Sequence, residues 1–250
     1  MKLIDVHAHL DDARFEKDLD DVISRAKNAG IKIIITSGIN PKTNRKILEI
    51  SKKYDIIKIS FGLYPLGNFD EDVDKELKWI EEHKDDCIAI GEIGLDYNTD
   101  EEKMKMKEQK EIFRKVLSLA KKINKTVIIH SRKAEEDAIE IMEEMQMKKV
   151  VMHCFNGKKN LIRRCVENGW SFSVPPVITR LEHFKMLVEM VPLEQLLTET
   201  DAPYLSPVAR ERNESANVAV TIKIISEIKG LSEEEVANKI FENSEKLFRV

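Results

Sequence analysis

The chain has 250 residues, of which 42% are hydrophobic and 34% are charged, and its formal net charge is −4 at pH 7. This length and composition indicate a globular protein with one large core and a strongly charged surface, and they exclude a low-complexity chain. The small negative charge excludes an overall basic field that recruits nucleic acid, so a polyanionic substrate would have to be held by a local patch.

Short runs rich in β-branched residues recur along the chain and predict strands, and the amphipathic stretches between them predict helices. In chain order, the predicted strands are residues 3–6, 32–36, 56–61, 86–91, 125–129, 149–152, 170–174 and 195–198. The predicted helices are residues 15–29, 41–54, 72–83, 101–123, 134–147, 158–168, 181–191, 218–229 and 232–247.

The alternation of strands and helices predicts a parallel sheet, and about eight such units in this length predict a closed (β/α)8 TIM barrel. Additional C-terminal helices complete the fold, and residues 1–250 are expected to form a single domain. The alternative is a doubly wound open sheet, whose usual mark is a glycine-rich turn after the first strand. The residues after His9 are Leu10-Asp11-Asp12-Ala13-Arg14, without glycine, so the barrel is favoured.

Residues of the types that bind metals fall at the carboxyl ends of the predicted strands. His7 and His9 close the first apolar run, and because they are separated by one residue, both side chains point to the same face of an extended chain. The other members stand at or just past the ends of later strands: Glu92, His130, His153 and Asp201. The carboxyl ends of barrel strands face the active-site mouth, so we expect one pocket to contain the whole set.

Neutral histidine nitrogens and carboxylate oxygens suit Zn²⁺, Mn²⁺ or another divalent ion. The set offers more ligands than one tetrahedral ion needs, and Glu92, midway in it, is the natural bridge between two ions. Two ions about 3.5–4 Å apart lower the pKa of a shared water toward neutrality. Asp201 is expected to hold an ion, orient the water and take its proton.

Each residue also has an ordinary interpretation. A single histidine such as His130 or His153 at the end of an apolar strand is more often a hydrogen-bonded core residue. Asp201 before Ala-Pro could form a turn, and Glu92 could be a buried acid paired with a lysine. The repeated placement at strand ends favours the metal site.

Five segments, in this order along the chain, resemble the TatD family of metal-dependent hydrolases. They are HAHLD at 7–11, GEIGLD at 91–96, HSR at 130–132, HCFNG at 153–157 and ETDAPYL at 199–205. The resemblance implies a TIM barrel of the amidohydrolase superfamily with a dinuclear site and Mg²⁺- or other metal-dependent DNase activity. It further implies two ligand sets: His7, His9, Glu92 and Asp201 for one ion, and Glu92, His130 and His153 for the other.

The sequence departs from the family where Gly-x-His-Pro follows the third strand, because this chain has Tyr64 in place of the histidine. Since the family histidine is implied to touch substrate, Tyr64 is a candidate substrate contact that stacks on a base or donates its hydroxyl. Arg132, two residues after His130, and Arg212, after the eighth strand, are candidate phosphate contacts. A single-stranded or frayed DNA end is the expected substrate.

Two other functions stay open. One is a deacylase or amidohydrolase that uses the same ions on an ester or amide, such as an aminoacyl-tRNA. The other is a metal-binding protein without turnover. Metal-dependent turnover of a generic phosphodiester would separate the DNase from both.

The cysteines Cys87, Cys154 and Cys165 are odd in number and lack CxxC spacing, which indicates a reducing compartment. The first residues do not form a signal peptide, and no apolar run reaches the roughly 18 residues of a membrane span. A cytoplasmic protein is therefore expected, without membrane contact and with no obligate protein partner inferred.

Overall fold

The computed structural model describes residues 1–65 and 72–250. Within these ranges eight strands form one sheet in the order β1 to β8, each parallel to the next, which confirms the predicted TIM barrel. The strands are β1 Leu3–Ala8, β2 Ile31–Ser37, β3 Ile57–Leu63, β4 Ala89–Asp96, β5 Thr126–Arg132, β6 Val150–His153, β7 Ser171–Val174 and β8 Leu196–Thr198.

Helices follow the strands along the chain, and two more close the C-terminal part. They are α1 Leu19–Asn28, α2 Pro41–Ser51, α3 Val73–Glu82, α4 Asp100–Met104, α5 Met106–Lys122, α6 Glu135–Glu144, α7 Lys159–Glu167, α8 Glu182–Met190, α9 Val218–Lys229 and α10 Glu233–Phe248. Helix α10 begins at a capping box in which the Ser232 hydroxyl accepts from the Glu235 N–H and the Glu235 carboxylate accepts from the Ser232 N–H.

Several strands extend further than the sequence predicts, and the two largest extensions are those of β4 and β5. β4 continues to Asp96 and β5 to Arg132, so Glu92 and His130 lie within strands and not just after them. Glycines weaken a strand pattern, which is why residues 91–96 do not look like a strand. Gly94 is required there, because it has a φ of +146° and a Cβ on it would lie 1.9 Å from the His130 carbonyl oxygen. The close approach of β4 to His130 thus depends on Gly94, the same residue that weakens the strand pattern in the sequence.

The predicted helix at 101–123 is also divided in the structure, into α4 and α5. The helix predicted from residue 15 begins at Leu19 and is preceded by a short 3₁₀ turn, Ala13–Phe15. The strands are buried almost throughout, as expected for a parallel sheet covered by helices. None of the helices in the described ranges combines the length and apolar character needed to cross a bilayer.

The seam between β8 and β1 is closed by the residues that follow β8. The Thr198 hydroxyl donates to the Ile4 carbonyl at 2.7 Å. Further along, the Asp201 N–H donates to the His7 carbonyl at 2.9 Å, and the His9 N–H donates to the Ala202 carbonyl at 2.7 Å. These bonds continue the strand pairing beyond β8 and hold Asp201 alongside the two histidines of β1.

Candidate metal centre

The carboxyl ends of the strands bring the predicted metal-type residues into one cluster, with the carboxylate of Glu92 at its centre. Glu92 Oε2 lies 3.5 Å from His7 Nε2 and 3.3 Å from His9 Nε2. Its other oxygen, Oε1, lies 2.8 Å from His130 Nδ1 and 3.7 Å from His153 Nε2. One buried carboxylate therefore faces a different histidine pair with each oxygen.

Asp201 completes the side of the cluster formed by β1. Its Oδ1 lies 3.5 Å from His7 Nε2 and 3.4 Å from His9 Nε2. Donor atoms of His7, His9 and Asp201 lie within 4.8 Å of one another, as do those of His7, Glu92 and His153. His7 Nε2 is buried, and no described residue makes a hydrogen bond with it. A cation among these atoms would satisfy that nitrogen, so the residues present fit a divalent metal.

The outer ring nitrogens of the histidines of β1 are held by Ser37. His9 Nδ1 lies 3.1 Å from the Ser37 carbonyl oxygen, and His7 Nδ1 lies 3.0 Å from the Ser37 hydroxyl. A carbonyl oxygen only accepts, so His9 Nδ1 carries a proton, and Nε2 is the nitrogen that becomes unprotonated when the ring is neutral. This is the orientation that a metal-binding histidine needs.

Buried carboxylates hold the other two histidines. His153 Nδ1 lies 2.8 Å from Glu199 Oε2, which also accepts from the Ser173 hydroxyl at 2.5 Å. His130 Nε2 lies 2.9 Å from Asp96 Oδ2. Ser37, Asp96 and Glu199 were not predicted as site residues, although Asp96 and Glu199 stand in the GEIGLD and ETDAPYL segments.

Asp96 also connects the cluster to two of the predicted substrate contacts. Its Oδ2 accepts from the Tyr64 hydroxyl at 2.8 Å and from Arg132 Nη2 at 2.6 Å. The Tyr64 hydroxyl is 3.1 Å from His130 Nε2, so it lies at the cluster itself. The Arg132 side chain is 51% exposed, which leaves part of it accessible at the mouth.

The structure does not bring Arg212 into this cluster. Its guanidinium donates to both carboxylate oxygens of Asp18, at 2.8 and 2.5 Å, and to the Arg14 carbonyl at 2.6 Å. It also lies 4.8 Å from the centre of the Phe15 ring. The sequence predicts a phosphate contact at Arg212, whereas in the structure its guanidinium pairs with Asp18 and joins the loop after β8 to the segment before α1.

The charges of the cluster depend on one another. Burial alone would raise the pKa values of Glu92 and Asp201, but the neighbouring histidines hold both well below their usual range. Burial alone would lower the histidine pKa values, but the carboxylates raise the pKa of His7 and of His130 to about 9. The carboxylates thus favour positive charge at their centre, and a divalent cation must displace histidine protons to bind.

A cavity of about 490 Å³ opens from the cluster to the surface. It is lined by His9, Asp11, Asp12, Ile39, Tyr64, Glu92, His130, Arg132, His153, Asp201, Tyr204 and Leu205. Its floor is therefore the candidate metal centre, and Ile39, Tyr204 and Leu205 add apolar and aromatic surface beside it.

Replacing Glu199 by glutamine is expected to weaken metal binding about 10–100-fold, the usual cost of losing the group behind a metal-binding histidine. An amide oxygen can still accept from His153 Nδ1, but it lacks the charge that makes the ring a better ligand. Competition against a chelator measures the affinity. Glu194→Gln, an exposed change just before β8, is the control. Unchanged affinity in Glu199→Gln would limit Glu199 to a role in folding.

Comparisons with known proteins find relatives over nearly the whole chain. The family described as TatD related DNase matches residues 4–249. An uncharacterized metal-dependent hydrolase of Methanocaldococcus jannaschii is 36% identical over 100% of this chain and 98% of its own length. The deoxyribonuclease TATDN3 of Homo sapiens is 34% identical over 98% of this chain and 94% of its own length. The crystal structure of YJJV, a TatD homolog from Escherichia coli K12, superposes with a TM-score of 0.92 at 26% identity, covering 99% of this chain and 98% of that one.

Proposed function

This chain belongs to the family of TatD-related DNases and is a metal-dependent hydrolase, and from that premise we propose how and on what it acts. It cleaves phosphodiester bonds of DNA at the cluster around Glu92, with two divalent ions as cofactors. The two ligand sets are His7, His9, Glu92 and Asp201 for the first ion, and Glu92, His130 and His153 for the second.

One observation carries the two-ion proposal, namely that the oxygens of Glu92 face different histidine pairs. A carboxylate that served one ion would not need a histidine pair at each oxygen, at 3.3–3.5 Å on one side and 2.8–3.7 Å on the other. The donor atoms are histidine nitrogens and carboxylate oxygens only, and this set suits Mg²⁺, Mn²⁺ or Zn²⁺.

Ions held there would supply an activated water and neutralise the scissile phosphate. Asp201 takes the proton of the attacking water, because its carboxylate lies at the cavity floor beside the nitrogens of His7 and His9. Glu92 keeps the two ligand sets together, because each of its oxygens faces one histidine pair. Ser37, Asp96 and Glu199 hold the histidine rings in place.

The substrate is a single-stranded or frayed DNA end. The chain has a net charge of −4, so phosphates need a local cation, and Arg132 presents one beside His130. A cavity of about 490 Å³ is of the size that admits small-molecule ligands and, by extension, a nucleotide freed from its duplex. The three cysteines are free, which supports a reducing, cytoplasmic location.

The test is a screen of purified protein with Mg²⁺, Mn²⁺ and Zn²⁺ against three substrates: single-stranded DNA, a generic phosphodiester and an aminoacyl ester. Metal-dependent cleavage of the first two supports the proposal. Cleavage of the ester alone would replace it by the deacylase, and metal binding without any cleavage would indicate a protein that has lost turnover.

Arg132→Ala is expected to raise KM for single-stranded DNA and to flatten its salt dependence. Losing one phosphate contact removes about 0.7 from the slope of log affinity against log salt for a single strand. The measurement is KM at several salt concentrations, with metal content determined in parallel because Arg132 also contacts Asp96.

Arg163→Ala, which removes an exposed arginine on α7, provides the matched control and should leave KM and its slope unchanged. If Arg132→Ala gives the same KM as the unmodified protein at every salt concentration, Arg132 does not contact phosphate.

A further inference from the structure

Tyr204 has an unusually exposed ring for a residue so close to the candidate metal centre. Its exposed fraction is 49%, and its ring centre lies 6.4 Å from that of His9. The Tyr204 N–H donates to the Asp201 carbonyl at 2.8 Å, in a turn that fixes the backbone of Tyr204 beside the cluster. The other tyrosines are more buried, and each donates its hydroxyl to a carboxylate: Tyr54, Tyr64 and Tyr97.

Arg14 braces the Tyr204 ring. Its guanidinium carbon lies 4.3 Å from the ring centre, a cation–π distance. Asp12 fixes that guanidinium by accepting from Nε and Nη2, each at 2.8 Å, and it accepts from the Arg14 N–H at 2.9 Å as well. Arg14 thus packs over one face of the half-exposed ring and limits its orientations, which suits a stacking platform.

The surface beside the ring suits a nucleobase. Tyr204 lines the cavity of about 490 Å³ together with Ile39 and Leu205, and the cluster forms the floor of the same cavity. A base bound beside Tyr204 would place its own phosphate toward the floor. The sequence predicts stacking at Tyr64, but the Tyr64 hydroxyl donates to Asp96 and the ring is half-buried, so Tyr204 presents the more accessible ring.

We propose that Tyr204, braced by Arg14, forms a nucleobase subsite on which the base next to the scissile phosphate stacks. This rests on the proposed phosphodiesterase function. Every base has a face that can stack, so the subsite accepts all four bases and selects for a base that is unpaired. It therefore favours single strands and frayed ends without a sequence preference.

The experiment compares two phosphodiesters that share the p-nitrophenol leaving group: the p-nitrophenyl ester of thymidine 5′-phosphate, which carries a base, and methyl p-nitrophenyl phosphate, which does not. The unmodified protein should favour the thymidine ester in kcat/KM by about 10-fold, within the range measured for stacking on an aromatic side chain. Tyr204→Ala should remove this preference, mainly through KM, whereas Tyr204→Phe should retain it.

Two controls make the result specific. Tyr54→Ala removes a tyrosine that precedes β3, at the opposite end of the barrel from the mouth, and should keep the preference. Tyr204→Leu keeps apolar bulk without an aromatic face, so it tests stacking even if Tyr204→Ala fails to fold.

The outcomes are distinguishable. Equal use of both esters by the unmodified protein, or a preference that survives Tyr204→Leu, would overturn the subsite and leave the phosphodiesterase standing. If neither ester is cleaved with any of the ions, the proposed function fails, and the subsite fails with it.

Discussion

Replacement of Glu92 by alanine is expected to remove both ions and to lower kcat by at least about 10³-fold, since metal assistance supplies several kcal/mol of transition-state stabilisation. The reason is that Oε2 faces the histidines of β1 and Oε1 faces His130 and His153, so no second residue replaces the bridge. Elemental analysis of protein expressed with Mn²⁺ or Zn²⁺ measures the metal content directly.

His130→Ala is the matched comparison, because it separates the loss of a bridging ligand from the loss of a ligand to one ion. It removes a ligand on one side of Glu92 only, so it should weaken mainly one ion and leave the other bound. Circular dichroism of both variants checks that the barrel is folded. Undiminished metal content in the Glu92 variant would refute the dinuclear arrangement.

Asp201→Asn is expected to lower kcat by at least about 10²-fold, the usual scale for the loss of a general base. The amide keeps the shape of the side chain but cannot take the proton of the attacking water. The backbone should be unaffected, because Asp201 has a φ of +55° and asparagine is among the residues that adopt this left-handed conformation most readily. Steady-state kinetics at saturating metal measure the effect.

Asp21→Asn, on the exposed face of α1, makes the same chemical change away from the mouth and should leave kcat unchanged. An Asp201→Asn protein that turns over normally, or that unfolds, would show that the assigned role of Asp201 is wrong.

The barrel was predictable because β-branched runs and amphipathic helices alternate along the chain. The ends of β4 and β5 were not predictable, because strand pairing in the closed sheet overrides the low strand propensity of Gly94. A glycine there weakens the strand by propensity and yet is needed for the approach to His130. The low strand propensity of glycine can be read from the local sequence, but the close approach to His130 cannot.

The cluster was predictable for a related reason. A residue at the carboxyl end of a barrel strand lies at the mouth of the barrel. His7 and His153 were therefore expected to lie close together, although they are far apart in sequence. Loop residues have no such constraint. Arg212 was expected at the mouth but pairs with Asp18, and Tyr204 was not singled out although it lines the cavity. The partner of a loop side chain depends on tertiary contacts, which the local sequence does not specify.

The hydrogen bonds between β1 and the residues after β8 have a consequence for the order in which the protein is synthesised. All members of the proposed ligand set of Glu92, His130 and His153 are present in the chain once the ribosome has made residue 153. The other set must wait for Asp201, and its geometry also needs the Asp201 N–H to reach the His7 carbonyl at 2.9 Å. All residues of the first set are therefore synthesised before Asp201, whereas the other set assembles only when the first strand meets the residues after the last. Metal at that second-assembled set would mark a chain whose barrel has closed.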